Sequence, residues 1–108
     1  MMNRYKSVPV TLLFLFFATA AVLAQSNSGE TTFRSNCAMC HGIDGSGNTP
    51  AGEHFGAPDF RGVKVKGLTD VQIKQVIADG RKTMPAYGKR LSADQIKELV
   101  QYIRELQK

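Results

Sequence analysis

The feature that most constrains this chain is the run Cys37-Ala38-Met39-Cys40-His41. If the run is helical, the two thiols lie one turn apart on the same face, where they can reach two porphyrin vinyl groups. His41 follows at once, so its imidazole can turn onto an iron from the side that the thioethers fix. A C-x-x-C-H run is typical of covalent c-type haem attachment. The sequence therefore predicts one haem c bound through Cys37 and Cys40, with His41 as an iron ligand.

Three other interpretations of the motif are weaker. A thioredoxin-like redox pair belongs to a βαβ unit, and no such pattern surrounds the cysteines. A zinc site needs four ligands, whereas the chain offers only His54 and carboxylates beyond the motif. A structural disulfide between the two cysteines suits an exported protein, but it leaves His41 without a role.

The N-terminus has the layout of a secretory signal peptide. Arg4 and Lys6 form a basic start, a mostly apolar run covers residues 10–23, and Ala24 precedes polar residues. We expect cleavage after Ala24, which makes 1–24 the signal peptide. The alternative is an uncleaved membrane anchor, although the apolar run is shorter than the roughly 18 residues that favour a membrane span.

The remainder of the chain is one small domain. Residues 25–28 form a short tail and residues 29–108 form the domain, which is too small to build a large apolar core without a staple such as a covalent porphyrin. In the full chain, Lys and Arg number 14 against 9 Asp and Glu, a formal net charge of +5. These basic residues are scattered, so the composition argues against nucleic-acid binding.

Three segments of the domain have helical signals. Residues 29–40 form a helix into the motif, with Gly29, Phe33 and Cys37 on one face. A second helix begins at a capping box of Thr69 and Gln72 and ends at Gly80. The third follows the similar pair Ser92 and Gln95, and its apolar residues recur at helical spacing. These residues are Ile96, Leu99, Val100, Ile103 and Leu106. No segment favours a strand.

A long segment from Gly42 to Gly67 lacks any apolar period and is interrupted by glycines, Pro50 and Pro58. We predict a loop there, long enough to be functional or to wrap around a bound group.

The sixth coordination position of a haem iron has two candidates. The two N-terminal methionines leave with the signal peptide, and Met39 lies inside the motif on the His41 side. Met84 and His54 remain, because thioether and imidazole both suit iron. A methionine is more often a residue that fills a gap in a core, but the segment around Met84 has no apolar period. The residues by themselves therefore favour Met84, with His54 as the alternative.

The chain resembles the class I c-type cytochromes over essentially its whole mature length, and most closely the bacterial and cytochrome c6-like members. In that family a glycine and an aromatic residue precede the first haem cysteine by eight and four residues, as Gly29 and Phe33 precede Cys37. Leu99 and Tyr102 are similar to the residues of the C-terminal helix that cross against them. The resemblance implies an all-α cytochrome c fold of three to four short helices and long loops around one covalent haem.

The resemblance also implies further site residues. Met84, followed by Pro85, stands where the family places its second axial ligand. Pro58 resembles the proline whose carbonyl accepts the Nδ1–H of the haem histidine. The implied ligand set is His41 and Met84, and the implied haem-binding residues are Cys37, Cys40, His41, Met84 and Pro58.

A filled pair of axial positions implies a one-electron carrier and not an enzyme. We expect a periplasmic protein, or one in an equivalent lumen, that shuttles electrons between respiratory or photosynthetic partners. One alternative is a haem enzyme or ligand sensor with an open sixth position. The other is a c-type subunit fixed in an oxidase or dehydrogenase complex, with membrane contact only if the N-terminus is not cleaved.

Basic residues near the implied site predict how redox partners dock. They lie after Pro58 and on either side of Met84, and around a porphyrin edge they would steer a monomeric carrier to acidic patches on its partners. These residues are Arg61, Lys64, Lys66, Arg81, Lys82, Lys89 and Arg90.

Overall fold

The computed structural model describes the backbone of residues 21–108 and the side chains from residue 28 onward. Most of the predicted signal peptide, 1–24, lies outside the described residues. The helices are α1 (Ala21–Asn36), α2 (Ala38–His41), α3 (Pro50–Phe55), α4 (Val63–Lys66), α5 (Asp70–Asp79) and α6 (Ala93–Leu106). Within residues 21–108 there is no strand, and none of these helices is long and apolar enough to cross a membrane. The predicted all-α fold is confirmed.

The helix predicted over 29–40 is divided in the structure. α1 ends at Asn36, and Cys37 has a φ of −121°, far from the helical value of about −63°. Cys37 still donates its N–H to the Phe33 carbonyl at 2.8 Å, and its own carbonyl accepts from His41 N at 2.9 Å. α2 therefore continues from α1 after a local change of direction. Helical backbone also covers residues 25–28, where no glycine or proline interrupts it.

The loop predicted from Gly42 to Gly67 contains two short helices. Thr49 is the N-cap of α3, and its side chain accepts a hydrogen bond from Gly52 N. Pro50 occupies the first turn of the helix. α4 covers only four residues. Helices of this length are too short to display an apolar stripe, so the absence of a period did not reveal them.

The predicted starts of α5 and α6 are confirmed. Thr69 Oγ1 accepts from Gln72 N at 3.2 Å, and Gln72 Oε1 accepts from Thr69 N at 2.9 Å. Ser92 and Gln95 form the same reciprocal pair. Each capping box satisfies two N–H groups that the helix cannot bond internally.

The core lies where α1 crosses α6. Phe33 is fully buried, and its ring centroid lies 5.3 Å from that of Tyr102. A Cβ built on Gly29 would lie 2.6 Å from the Glu98 carbonyl oxygen and 3.3 Å from Tyr102 Cβ. The predicted approach of α6 to Gly29 and Phe33 is therefore confirmed. The buried apolar cluster consists of Phe33, Phe60, Ile73, Ile77, Ile96, Leu99, Val100 and Ile103.

Arg104 joins the end of α6 to the beginning of α5. Its guanidinium donates to Asp70 Oδ1 at 2.8 Å and to the Leu68 carbonyl at 2.5 Å. The start of α5 is thereby held against the helix that crosses α1, and α5 leads directly to the segment that carries Met84.

The first prediction concerns the helix crossing. Gly29→Ala adds a Cβ in close contact with backbone that cannot move freely, so we expect the free energy of unfolding to fall by about 1–3 kcal/mol. Denaturant unfolding followed by helical circular dichroism measures this change. Gly67→Ala is the control, because φ there is −75° and the new Cβ would approach Val63 O only to 3.2 Å. Equal effects of the two substitutions would contradict a close approach at Gly29.

Candidate haem site

The two cysteines of the motif lie at the edge of the core. Both are half-buried free thiols, so the structure has no disulfide between them. Cys37 packs against the buried cluster. Burial, and to a smaller extent the neighbouring Cys40, raises the pKa of the Cys37 thiol to about 11. In the protein alone Cys37 therefore stays protonated and uncharged at neutral pH.

The His41 imidazole is the part of the motif that is least satisfied by the protein. Its ring lies 4.8 Å from that of Phe60, centroid to centroid, and burial lowers its pKa. The neutral form that this favours is the one that binds metals. Nδ1 is buried and forms no hydrogen bond with any residue in the described part of the chain. An orphaned buried nitrogen is costly and is expected where a further group completes a site.

Pro58 lies beside the segment that follows His41. Gly47 donates its N–H to the His41 carbonyl at 2.7 Å, and a Cβ built on Gly47 would lie 3.2 Å from Pro58 O. The φ of Gly47 is +72°, which favours glycine, and the close carbonyls leave no space for a side chain. Pro58 O thus lies against Gly47, which bonds to the His41 backbone, but it does not bond to Nδ1 in the structure.

Thr49 holds the motif from outside and was missed by the sequence analysis. Its hydroxyl lies 2.8 Å from the Met39 carbonyl and 2.9 Å from the Cys40 carbonyl, to which it donates, and it accepts from Gly52 N. One side chain therefore caps α3 and satisfies carbonyls at the end of α2. The Thr-Pro pair at 49–50, a common helix start, was the available signal.

Met84 lies in a short hairpin after α5. Arg81 N donates to Met84 O at 3.1 Å and Met84 N donates to Arg81 O at 2.9 Å. The Met84 side chain is half-buried and packs against the same apolar cluster as Cys37. The fold therefore brings together, at one core, two residues that are 47 positions apart in the sequence.

The Met84 segment is tied to both sides of the site. Thr83 Oγ1 donates to the Phe55 carbonyl at 3.2 Å, at the end of α3. Tyr87 OH donates to the Asn36 carbonyl at 3.0 Å, immediately before Cys37. Both hydroxyls thus bond to backbone and position the loop.

His54 is not brought to this core. Its side chain is exposed on α3 and meets Phe55 edge-on, with ring centroids 4.7 Å apart. Among residues 28–108, no three His, Cys, Asp or Glu side chains gather in a group that could hold a metal ion.

The residues present fit a covalent haem. Two free thiols at C-x-x-C spacing stand next to a half-buried imidazole, whose pKa is lowered by burial and whose buried Nδ1 lacks a partner. The fold and this site together define a small class I c-type cytochrome.

Comparisons with known proteins agree with this class. The sequence profile of the family described as "Cytochrome C oxidase, cbb3-type, subunit III" matches residues 24–103. The chain therefore belongs to this family of c-type cytochromes, whose cofactor is covalent haem c, attached here at Cys37 and Cys40.

Individual relatives fall into two groups by length. The chain is 36% identical over 85 residues to the cbb3-type cytochrome c oxidase subunit CcoP of Azospirillum brasilense, a match that covers 77% of this chain and only 29% of that protein. It is 30% identical to the cytochrome c6 of Gloeothece citriformis, with 96% of this chain and 94% of that protein covered. The solved structure of the KustC0563 c-type cytochrome has a TM-score of 0.68 and 29% identity, over 74% of this chain and 98% of that one.

The second prediction tests the role of Thr49. Thr49→Val removes the α3 cap and the bonds to the motif carbonyls, so we expect the free energy of unfolding to fall by about 1–2 kcal/mol. Thr49→Ser keeps the hydroxyl and should cost less than about 0.5 kcal/mol. Denaturant unfolding of both variants measures the difference. The assignment is wrong if the serine variant loses as much stability as the valine variant.

Proposed function

We propose that the chain is a one-electron carrier in which His41 and Met84 are the two axial ligands of the haem iron. The observation that carries this proposal is the packing of Met84 against the same core as Cys37. The loop of Met84 is hydrogen-bonded to Asn36 O, just before the motif, and to Phe55 O at the end of α3. Haem c supplies exchange of one electron between Fe(III) and Fe(II) when bound, and His/Met ligation raises its reduction potential.

The chain's own residues prepare the site for this role. Burial lowers the pKa of His41 and so favours the neutral form that ligates. The Pro58 carbonyl, which lies against the same Gly47 that bonds to the His41 carbonyl, is the acceptor we assign to Nδ1–H. Such a bond would orient the ring and raise its basicity. If His41 and Met84 both hold the iron, no coordination position would remain for a substrate or O₂. We therefore assign no catalytic residue.

We also propose export to the periplasm or an equivalent lumen, with cleavage after Ala24 and a monomeric product. The signal-like layout of residues 1–24 supports export. The match over 94% of a cytochrome c6 supports a free carrier.

A fixed subunit is the second candidate. The similarity to CcoP of Azospirillum brasilense favours it, since that protein is named as an oxidase subunit. N-terminal sequencing of the matured protein distinguishes the two candidates. A chain that begins at Gln25 supports the carrier, and a retained N-terminus supports an anchored subunit.

The third prediction tests the ligand pair. In the oxidised protein, iron–methionine ligation produces a weak far-red charge-transfer band. We expect Met84→Ala to abolish this band and to lower the reduction potential, because a thioether ligand favours Fe(II). His54→Ala, the matched control at the other candidate, should leave both unchanged. Absence of the band from the unmodified, haem-loaded protein would contradict the assignment and would favour His54 or an open sixth position.

Redox protein partners follow from the class of protein, and we propose that they present acidic patches. The seven basic residues that the sequence analysis selected are all exposed. Arg61 pairs with Asp59 at 3.3 Å, and Arg90 lies over the Tyr87 ring at 5.5 Å. Lys64 and Lys66 have no ion pair with a described residue, so their charges are available for steering.

The fourth prediction tests electrostatic steering by these basic residues with two oxidants of opposite charge. Oxidation of the reduced protein by ferricyanide should slow as ionic strength rises, whereas oxidation by tris(phenanthroline)cobalt(III) should accelerate. At low salt, the double variant Lys64→Glu and Lys66→Glu should slow the ferricyanide reaction by about two- to fivefold.

Lys97→Glu is the control, because Lys97 is also exposed, lies on α6, and is not one of the seven basic residues proposed for docking. It should change the ferricyanide rate by less than half as much. Lys97→Glu changes the charge half as much as the double variant does. If it therefore has half the effect on the logarithm of the rate, net charge alone is responsible and the docking proposal fails.

A further inference from the structure

The turn that presents Met84 is the most constrained backbone of the site. The paired hydrogen bonds between Arg81 and Met84 close a hairpin with two central residues, Lys82 and Thr83. The geometry of such a turn fixes the backbone position and direction of its last residue, here Met84. Any strain in the turn is therefore coupled to the position of the Met84 side chain.

Lys82 adopts a backbone conformation that lysine disfavours. Its φ is +53°, and it is the only non-glycine residue with positive φ in the described part of the chain. A two-residue hairpin with positive φ at the first central position alone corresponds to a type II′ turn, which normally has glycine there. A side chain with a Cβ is strained in this region because it crowds the neighbouring carbonyl.

The Lys82 side chain does not compensate for this strain. It is exposed and forms no hydrogen bond or ion pair with a described residue. The conformation is instead imposed by the loop around it, through the bond from Thr83 to Phe55 O and the bond from Tyr87 to Asn36 O. Strain of this kind persists only where the surroundings over-determine it.

We propose that Lys82 is a positioning residue whose backbone strain makes Met84 displaceable from the iron. The strain exists while the hairpin is closed and Met84 is held at the core, and it is relieved when the loop opens. A competing ligand for the iron therefore binds more readily than it would if glycine occupied this turn. The inference rests on the proposed role of Met84 as an axial ligand.

The two effects of a glycine substitution have opposite signs. Glycine removes the strain of the closed turn, which favours the Met84-bound state, but it also gives the open loop more conformational freedom. In most turns, the penalty for an L-residue at positive φ exceeds the entropy that glycine adds to the open loop. The glycine substitution should therefore stabilise the closed, Met84-bound loop. Asparagine tolerates positive φ without the extra freedom of glycine and tests the same sign independently.

The experiment is a titration of the oxidised, haem-loaded protein with imidazole, followed by loss of the far-red iron–methionine band. The unmodified protein is compared with Lys82→Gly, Lys82→Asn and Lys82→Ala. We expect the imidazole midpoint to rise about three- to tenfold in the glycine variant, and to rise in the asparagine variant too. Lys82→Ala removes the charge but keeps the strain, so its midpoint should stay within about twofold of the unmodified protein.

The outcomes separate this inference from the proposed function. If the band is present in the unmodified protein but the glycine and asparagine midpoints equal that of the unmodified protein, Met84 is a ligand and the Lys82 inference is wrong. A rise in the alanine variant equal to that in glycine assigns the effect to charge and also overturns it. If the unmodified protein has no band, both the proposed ligand pair and the Lys82 inference fail. Far-UV circular dichroism establishes that each variant is folded.

Discussion

The close contact of α1 with α6 is the interaction on which the rest of the structure depends. Gly29 allows the backbone of α6 to approach, and Phe33, one turn later, is fully buried against it. Cys37 follows after another turn, so this helix crossing places it at the edge of the core. The position of the thiols is therefore set by packing between the two ends of the domain, and the motif itself contributes none of that core.

The site is a boundary between a small core and solvent. Cys37 and Met84 contact the buried cluster only in part, and His41 keeps a buried nitrogen for which the described chain supplies no partner. In a domain of this size the apolar surface that the chain can bury is marginal. A covalent haem adds the missing apolar surface, so cofactor attachment and folding stability are coupled in this protein.

Local signals were sufficient where a few adjacent residues decide the structure. The capping boxes at Thr69 and Ser92 and the small face of α1 at Gly29 follow from hydrogen bonding and helical spacing. The short helices α3 and α4 did not follow, because a periodic pattern needs more residues than they contain. Thr49 was missed for another reason: its bonds to the Met39 and Cys40 carbonyls cross ten and nine positions of chain.

The amino-acid sequence by itself determined the haem attachment, the three main helices and the pair of candidates for the sixth ligand, because each depends on residue type and short spacing. Only the tertiary structure brought Met84 to the core that holds Cys37 and left His54 exposed. It alone revealed the positive φ of Lys82, in a loop that is held by hydrogen bonds to Phe55 O and Asn36 O. Long-range contacts override local preference where their combined free energy exceeds the strain of one residue.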